Sequence, residues 1–368
     1  MKKKALTFDT TKRKILGEES FTFFLNYFGT GSKNKNRVLS FHKERSEIMG
    51  KLYAMGEALI DFIPQTKGVE LKDVTGFEPQ VGGAPTNVAS CVAKLGASSS
   101  LITQLGEDAF GDLILETLQK QGVETANIKR THEANTGLAF VSLTESGERD
   151  FAFYRNPSAD MLLEPSSLNI NFQPDDILHF CSVDLIPSPM KNTHEHIIAL
   201  MEEADGTIIF DPNLRFPLWP SIEALKTTVL EFMPKAHILK IADEELVYLT
   251  GSEDPASLQQ LFQGKTEIII YTEGANGASI YTKEGRIGYS PGYKVDAQDT
   301  TGAGDAFVGA VIYQLLKGQN ERTPIDYLKQ HAPDILAMSN AVGALTTTKK
   351  GAIGSIPTLE EVQELLQK

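Results

Sequence analysis

The chain has 368 residues, 41% of them hydrophobic, which is enough apolar material for a large core. Its formal net charge is −13, and the excess acid lies after residue 48: residues 1–48 carry 11 Lys and Arg against 5 Asp and Glu, whereas residues 49–368 carry 24 against 43. An acidic body argues against a nucleic-acid-binding surface, and no stretch approaches the roughly 20 apolar residues of a membrane span.

The first 48 residues differ from the rest of the chain. They are basic, and their only apolar cluster, FTFFLNYF, is too short to cross a bilayer. A signal peptide would need a longer apolar region and a small-residue cleavage site, and neither is clear. We therefore predict a poorly ordered basic extension over residues 1–48 and a folded domain over residues 49–368.

From residue 49 onward, β-rich runs alternate with helical runs. KLYAMGEALIDFI (51–63) and SSLITQLG (99–106) are predicted strands, and each is followed by a run with apolar residues at helical spacing, TNVASCVAKLG (86–96) and DAFGDLILETLQKQG (108–122). Three later runs, TIIFDPN, AHILKIA and EIIIYTEG, are also predicted strands. Strands this rich in Ile, Val and Leu, alternating with helices, predict a parallel sheet covered on both faces.

Two segments break this rhythm. GVELKDVTGFEPQVGG and TGLAFVSLTESGERDFAFYRNPSADM have the pattern of strand pairs with no helix between them, and ESGE is the predicted turn of the second pair. We interpret them as a small separate sheet, with strands from about 69–81 and 132–157, that covers a site as a lid.

The two cysteines, Cys91 and Cys181, both lie inside apolar segments. We interpret them as buried, reduced core thiols, which is typical of a protein of the cytoplasm.

The stretch DTTGAGDAF (299–307) places a glycine turn directly before an apolar helical run. Gly302 and Gly304 leave the backbone around Ala303 open, and a helix N-terminus binds anions through its free N–H groups and partial positive charge. Asp305 is then within reach of a hydroxyl that attacks a phosphoryl group held there, and can take its proton. The alternative is that Asp305 only caps the helix. No Walker A motif occurs in the chain.

Two long motifs of this chain resemble the signatures of the ribokinase-like carbohydrate kinases, also called the PfkB family. DTTGAGDAF resembles the second signature, and GGAPTNVASCVAKLGASSSLITQLGEDAFG (82–111) resembles the first, in the expected order and separation. The resemblance covers about residues 50–368, and GEALIDFIP, FYRNPSADMLL and DPNLR are most similar to the bacterial fructokinases. It implies a ribokinase-like α/β fold: a central, mostly parallel sheet with helices on both faces and a small β-sheet lid.

The resemblance implies an ATP-dependent sugar kinase that transfers the γ-phosphate of MgATP to O6 of D-fructose. Ribose, 2-keto-3-deoxygluconate and a nucleoside remain alternative acceptors with the same mechanism. A non-catalytic sugar-sensing relative would be expected to have lost Asp305 or the turn glycines, and a nicotinamide dehydrogenase would need a G-x-G-x-x-G after the first strand. The lid of the family often forms a dimer contact, so we expect a homodimer.

On the sugar side, the resemblance implies that Asp61 accepts hydrogen bonds from two neighbouring sugar hydroxyls. The other implied sugar-binding residues are Gly82, Gly83, Asn87, Phe151, Phe153 and Arg155, with Asp305 as the base. The alternatives are a solvated strand-end acid at Asp61, a plain turn at the two glycines, a helix-start role for Asn87, and packing of the lid or of a dimer by the two phenylalanines.

On the nucleotide side, YTEGANG resembles the loop under the ATP phosphates, which indicates Thr272, Gly274 and Gly277 together with Gly302 and Gly304. The alternative for YTEGANG is an ordinary hairpin turn. Lys240, at a predicted strand end, is expected either to contact a phosphate or to be a solvated surface lysine. Asn340 falls where the family contacts adenine, or else lies on a helix surface. In DPNLR, Arg215 either holds the transferring phosphate or pairs with Asp211.

Two cation sites follow from the resemblance. Many members of the family have N-x-x-E near the magnesium-bound phosphates, but KIADEE has Ala242 at the Asn position, so only Glu245 is left to hold Mg²⁺ through water. A monovalent cation, K⁺ in particular, would hold the glycine turn in shape. Its implied ligands are Asp299 and Thr301 in the first half of the site, and the backbone carbonyl oxygens of Thr346, Lys349 and Gly351, with Ser355, in the second.

Overall fold

The computed structural model describes residues 10–15, 18–23, 39–41, 50–66, 68–143, 149–318 and 323–367. The chain divides into two units, 1–48 and 49–368. In the first unit the strands β1 (Thr10–Ile15), β2 (Glu18–Phe23) and β3 (Leu39–Phe41) form an antiparallel sheet in the order β1-β2-β3. The expected poor order of this unit concerns residues that are mostly outside the described ones, and it stays a prediction.

The second unit is built on a nine-stranded sheet. Its strands are β4 (Leu52–Met55), β7 (Ser99–Gly106), β8 (Ile128–Thr131), β11 (Ile177–Cys181), β12 (Thr207–Asp211), β13 (Ile238–Ala242), β14 (Ile268–Thr272), β15 (Ala278–Thr282) and β16 (Gly285–Ser290). They lie in the order β16-β15-β14-β13-β12-β11-β4-β7-β8. All neighbours from β8 to β14 pair in parallel, and β15 and β16 add an antiparallel edge.

Helices cover both faces of this sheet. They are α1 (Ala84–Lys94), α2 (Ala109–Gln121), α3 (Pro189–Glu203), α4 (Ile222–Phe232), α5 (Asp243–Thr250), α6 (Ala303–Gly318), α7 (Pro324–Thr346) and α8 (Leu359–Leu366). Alternate residues of one strand enter different cores, because side chains of a strand point to opposite faces. In β11, Ile177 packs with α1, α2, α6 and α7, whereas Leu178 and Phe180 pack with α3, α4 and α5. The predicted doubly covered parallel sheet is confirmed.

A separate four-stranded sheet carries the predicted lid. Its strands are β5 (Leu59–Pro64), β6 (Phe77–Gly82), β9 (Gly137–Leu143) and β10 (Arg149–Tyr154), in the order β10-β9-β5-β6. We call it the lid sheet. The predicted turn ESGE lies outside the described residues.

Two predictions about the strands of this region were wrong. The single strand predicted over 51–63 is two strands, β4 in the main sheet and β5 in the lid sheet, with Gly56 at a φ of +142° between them. The segment from 69 to 81 contributes a strand only from Phe77, since Leu71–Asp73 forms a 3₁₀ turn. The hydrophobic run is continuous across Gly56, so the pattern alone did not reveal where the chain leaves the main sheet.

Candidate active site

The carboxyl ends of the central parallel strands open into a cleft of about 540 Å³. The ends of β12 and β13 and the start of α6 form its walls. Its polar lining includes Asp211, Asn213, Arg215, Lys240, Glu244, Glu245, Thr300, Thr301 and Asp305. Crevices at this end of an open α/β sheet are where such folds bind their ligands.

Asp305 lies in the first turn of α6 and is buried at the floor of the cleft. The side-chain amide of Asn87 donates to its Oδ2 at 2.8 Å, and that of Asn213 donates to its Oδ1 at 3.2 Å. Burial raises the pKa of Asp305, and these two hydrogen bonds oppose that rise. The carboxylate is thus oriented by two other elements, and its raised pKa makes it a better proton acceptor.

The turn before α6 has the shape that its glycines permit. Gly302 has a φ of +73°, and a Cβ placed there would be 2.7 Å from the Cβ of Ala352, so only glycine fits without a shift. Gly302 and Gly304 line the cleft on either side of Ala303, where α6 begins. The N-terminus of a 16-residue helix therefore faces the same space as Asp305.

Sequence reasoning missed Asn213. The residue follows β12 at a φ of +45°, and its N–H donates to Oδ1 of Asp211 at 3.1 Å. This local turn aims its amide at Asp305, 92 residues further along the chain. Asn tolerates the left-handed region better than most residues, so an Asn after Asp-Pro at a strand end was the available signal.

Lys240 is buried between two carboxylates. Its Nζ lies 3.4 Å from Oδ1 of Asp211 and 3.8 Å from Oε2 of Glu245. Burial raises the pKa of Asp211, with Lys240 opposing that rise. Lys240 is therefore no solvated surface lysine, and it is the cationic partner of Asp211. Arg215 instead donates to the carbonyl oxygen of Leu214 and lines the cleft.

The residues expected to bind the sugar lie mainly in the lid sheet and at the start of α1. Asp61 of β5 lies opposite Gln80 and Ala139, and Ala139 lies opposite Phe153, so Phe153 and Asp61 share one face of the lid sheet. A Cβ at Gly82 would collide with Oδ2 of Asp61.

Gly83 precedes α1, and Asn87 follows in its first turn with its amide on Asp305. The side chain of Phe151 lies outside the described residues. Arg155 is buried and paired with the carboxylates of Asp160 and Asp184.

The nucleotide-side residues form a second group. Thr272 ends β14, Gly274 begins a 3₁₀ turn, and Gly277 packs against the backbone of Ser290. Asn340 of α7 is buried and donates to the carbonyl oxygens of Ser290 and Pro291 at 2.9 and 3.2 Å. It therefore does not lie on an exposed helix surface.

The two halves of the expected monovalent-cation site meet through Asp299. Its Oδ1 accepts from the N–H of Thr301 at 3.0 Å, and its Oδ2 accepts from the N–H of Gly351 at 2.9 Å. Thr346 ends α7 just before this loop, and Ser355 closes it by donating to the carbonyl oxygen of Lys350 at 2.8 Å. The side chain of Lys349 pairs with Glu361. The glycine turn is thus tied to the loop from 346 to 355.

The fold and the cleft define an ATP-dependent carbohydrate kinase of the ribokinase-like type. A family model described as pfkB family carbohydrate kinase matches residues 49–359, and the chain belongs to that family.

Known relatives agree with this. The chain is 41% identical over 319 residues to a probable fructokinase-4 of Arabidopsis thaliana, covering 86% of this chain and 96% of the relative. It is 40% identical over 365 residues to a probable fructokinase-6, chloroplastic, of the same plant, covering 98% and 93%.

A solved structure has the same fold. A double mutant of the fructokinase of Vibrio cholerae O395, in a fructose, ADP and potassium ion bound form, matches with a TM-score of 0.78 at 33% identity. The match covers 88% of this chain and 100% of that one.

Proposed function

We propose that the protein is a fructokinase, which transfers the γ-phosphoryl group of ATP to O6 of D-fructose and releases fructose 6-phosphate and ADP. The observation that carries the proposal is Asp305, buried at the start of α6 and oriented by Asn87 and Asn213 at the floor of the cleft. The fructokinase relatives at about 40% identity support fructose as the acceptor.

The chemistry assigns a role to each side of the cleft. Asp61, Gly82, Gly83, Asn87 and the lid phenylalanines hold the sugar. Asp305 accepts the proton of O6 as the oxygen bonds to the γ-phosphorus, and the bond from that phosphorus to the bridging oxygen of ADP breaks. The N-terminus of α6, from Gly302 to Gly304, stabilises the negative charge on the moving group.

The nucleotide side of the proposal comprises Lys240, Thr272, Gly274, Gly277 and Asn340. Lys240 lies near both Asp211 and Glu245, and these two carboxylates support a fixed position for its charge at the proposed phosphate end of the cleft. The lid sheet excludes water, which competes as an acceptor.

Magnesium fits this site through water. Both oxygens of Glu245 accept backbone N–H groups, Leu214 at 3.1 Å and Ala242 at 2.8 Å, and this leaves outer-sphere contact to a hydrated ion. No cluster of three His, Cys, Asp or Glu in the described part of the chain could hold a metal by itself. Bound Mg²⁺ supplies neutralisation of the phosphate charge.

We also propose a homodimer formed through the lid sheet and a site for a monovalent cation, K⁺ in particular. The proposed ligands of the ion are Asp299, Thr301, the backbone carbonyl oxygens of Thr346, Lys349 and Gly351, and Ser355. The tie between Asp299 and Gly351 supports the cation site. Partly exposed aromatic rings on the lid sheet support the homodimer.

We propose that the protein is located in a reducing compartment, the cytoplasm in particular. Cys91 and Cys181 are free and buried, which suits a reducing environment. No helix in the described residues is long and apolar enough to cross a membrane. Cell fractionation followed by immunodetection checks the location, and recovery in a membrane or secreted fraction would contradict it.

The test of the proposed function is ADP release with MgATP in potassium buffer across fructose, ribose, glucose, mannose, 2-keto-3-deoxygluconate and adenosine. Fructose should give the highest kcat/KM, with fructose 6-phosphate as the product. Turnover on another acceptor would keep the mechanism and correct the substrate. If no acceptor is turned over while a sugar still raises the melting temperature, the protein is a sugar sensor instead.

A further inference from the structure

Four charged residues form a buried group where the lid sheet joins the main sheet. Glu57, Arg155, Asp160 and Asp184 are only 3%, 6%, 1% and 1% exposed. We call them the lid-root cluster. Arg155 is the one cation of the four and pairs with Asp160 and Asp184, so the cluster would carry two net negative charges out of water if every group were ionised.

The cluster connects elements that are far apart in sequence. Glu57 lies between β4 and β5, where the chain passes from the main sheet to the lid sheet, and Arg155 directly follows β10. Arg155 pairs with Asp160 and with Asp184, which follows β11. The root of the lid is therefore tied to the carboxyl end of the main sheet by a single guanidinium.

Glu57 carries this connection to the proposed sugar site. Its Oε1 accepts the N–H of Ala84 at 2.8 Å, and its carbonyl oxygen accepts the hydroxyl of Thr86 at 3.0 Å. Ala84 begins α1, and the N–H of a first helical residue has no partner within the helix, so Glu57 supplies one. The position of Glu57 thus sets the segment from Gly82 to Asn87.

Several buried polar atoms of the lid-root cluster lack a hydrogen-bond partner among the described residues. Within the described residues, Oε2 of Glu57, Oδ2 of Asp184, and Nε and Nη1 of Arg155 are buried without a hydrogen-bond partner. A proton on one carboxyl would remove one of the two excess charges and supply a donor to the free acceptors. Burial and, next, Asp184 raise the pKa of Glu57 to about 8, and burial also raises that of Asp184.

We propose that Glu57 and Arg155 are positioning residues for the sugar site, and that the lid-root cluster holds the segment from Gly82 to Asn87 in its binding shape only while Glu57 is protonated. This inference rests on the proposed kinase function. The charges that act on Glu57 are those of Asp184 and Arg155, and Glu57 in turn raises the pKa of the Cys181 thiol; Asp160 pairs with Arg155. Loss of the proton puts a second uncompensated charge out of water at the lid root, where burial and Asp184 oppose it, and the segment shifts.

The test is the pH dependence of KM for the sugar, measured on the full-length enzyme from pH 6.5 to 9.5 with whichever sugar of the panel is turned over. The wild type should show a KM for the sugar that rises about tenfold for each pH unit above the pKa of Glu57, near 8. The KM for ATP should change less than about twofold over the same range, and a general structural loss would move both.

Glu57→Gln is the decisive variant. Gln has the shape of a protonated Glu and keeps an acceptor for the N–H of Ala84, so its KM for the sugar should stay near the wild-type value at pH 7 and remain flat to pH 9.5. Glu124→Gln is the matched control, since Glu124 pairs with Lys51 at the surface, and it should keep the wild-type profile. Arg155→Lys replaces the guanidinium that pairs with Asp160 and Asp184 by a single ammonium group. This variant should raise KM for the sugar about tenfold at every pH.

Several outcomes would overturn the inference. A wild-type KM for the sugar that is flat with pH would do so without any variant, which covers the case in which Glu57→Gln does not fold. So would a Glu57→Gln variant that keeps the wild-type alkaline rise, or an Arg155→Lys variant that raises both KM values equally. If the wild type turns over no sugar, the proposed function fails separately, and calorimetric sugar affinity from pH 6.5 to 9.5 then tests the cluster.

Discussion

At the scale of single residues, Asp305 is the group on which the proposed chemistry depends. It is the first-turn carboxylate of α6, yet Asn87 and Asn213 of other elements hold its two oxygens. A carboxylate that served only its own helix would not need two side-chain amides from α1 and the loop after β12. The two amides fix the orientation of the Asp305 carboxylate, as a general base requires, and its raised pKa suits proton transfer.

Asp305→Asn keeps the shape of this side chain and removes the base. We expect kcat to fall by about 10²–10⁴, the usual contribution of a positioned acid or base, while the sugar still binds. Steady-state ADP release measures the first quantity and calorimetry the second. Asp112→Asn is the matched control, because Asp112 is an exposed first-turn Asp of α2, and it should leave kcat unchanged. Near-normal turnover in Asp305→Asn would show that Asp305 is only structural.

The sequence led us to propose those site residues that are close together in the chain. Gly302, Gly304 and Asp305 could be singled out because one turn carries both the glycines that open the backbone and the carboxylate, and their roles stay predictions. Asn213 and Asp184 could not, since the order of the strands in the sheet brings them to the site, and local spacing does not record that order.

At the scale of elements, the lid sheet shows where hydrophobic pattern stops being informative. The run from 51 to 63 reads as one strand, but the chain turns at Gly56 and pairs with a different sheet. Both strands are apolar, so no change of period marks the turn. The alternation of strands and helices elsewhere was sufficient to predict the main sheet.

One face of the lid sheet presents aromatic rings that suit a contact with a second copy. Phe62 stacks on Phe140 at 4.7 Å, Phe77 packs edge-on at 5.3 Å from Phe140, and Tyr154 beside them is 66% exposed. We expect a dimer in light scattering at micromolar concentration, and a Tyr154→Asp variant shifted toward monomer. Leu366→Asp, on α8, should leave the mass unchanged. A monomeric wild type at all concentrations would contradict the proposed dimer.

The loop from 346 to 355 and the glycine turn should respond to monovalent cations. Asp299 binds both segments through Thr301 and Gly351, so an ion at this point would fix the start of α6. We expect kcat to be higher in K⁺ than in a bulky organic cation at equal ionic strength, and Asp299→Asn to abolish most of that difference. Equal rates in potassium, sodium and organic-cation buffers would argue against the site.

At the scale of the whole molecule, the proposed kinase needs only the second unit. The main sheet, the lid sheet, the cleft and each proposed site residue lie in residues 49–368, and the family match begins at residue 49. The charge divides at the same place, with a basic first unit and an acidic second one. The sequence could predict this division because composition changes abruptly there, whereas the pairing of β1 to β3 gave no usable pattern.

Deletion of residues 1–48 should therefore leave catalysis and stability nearly unchanged. We expect kcat and both KM values within about twofold of the full chain, and a melting temperature within about 2 °C, which for a domain of this size corresponds to roughly 1 kcal/mol. Parallel kinetics and thermal denaturation of the two proteins measure this. A large loss of activity at unchanged melting temperature would give the first unit a role at the active site, and a large fall in melting temperature would make it part of the folded domain.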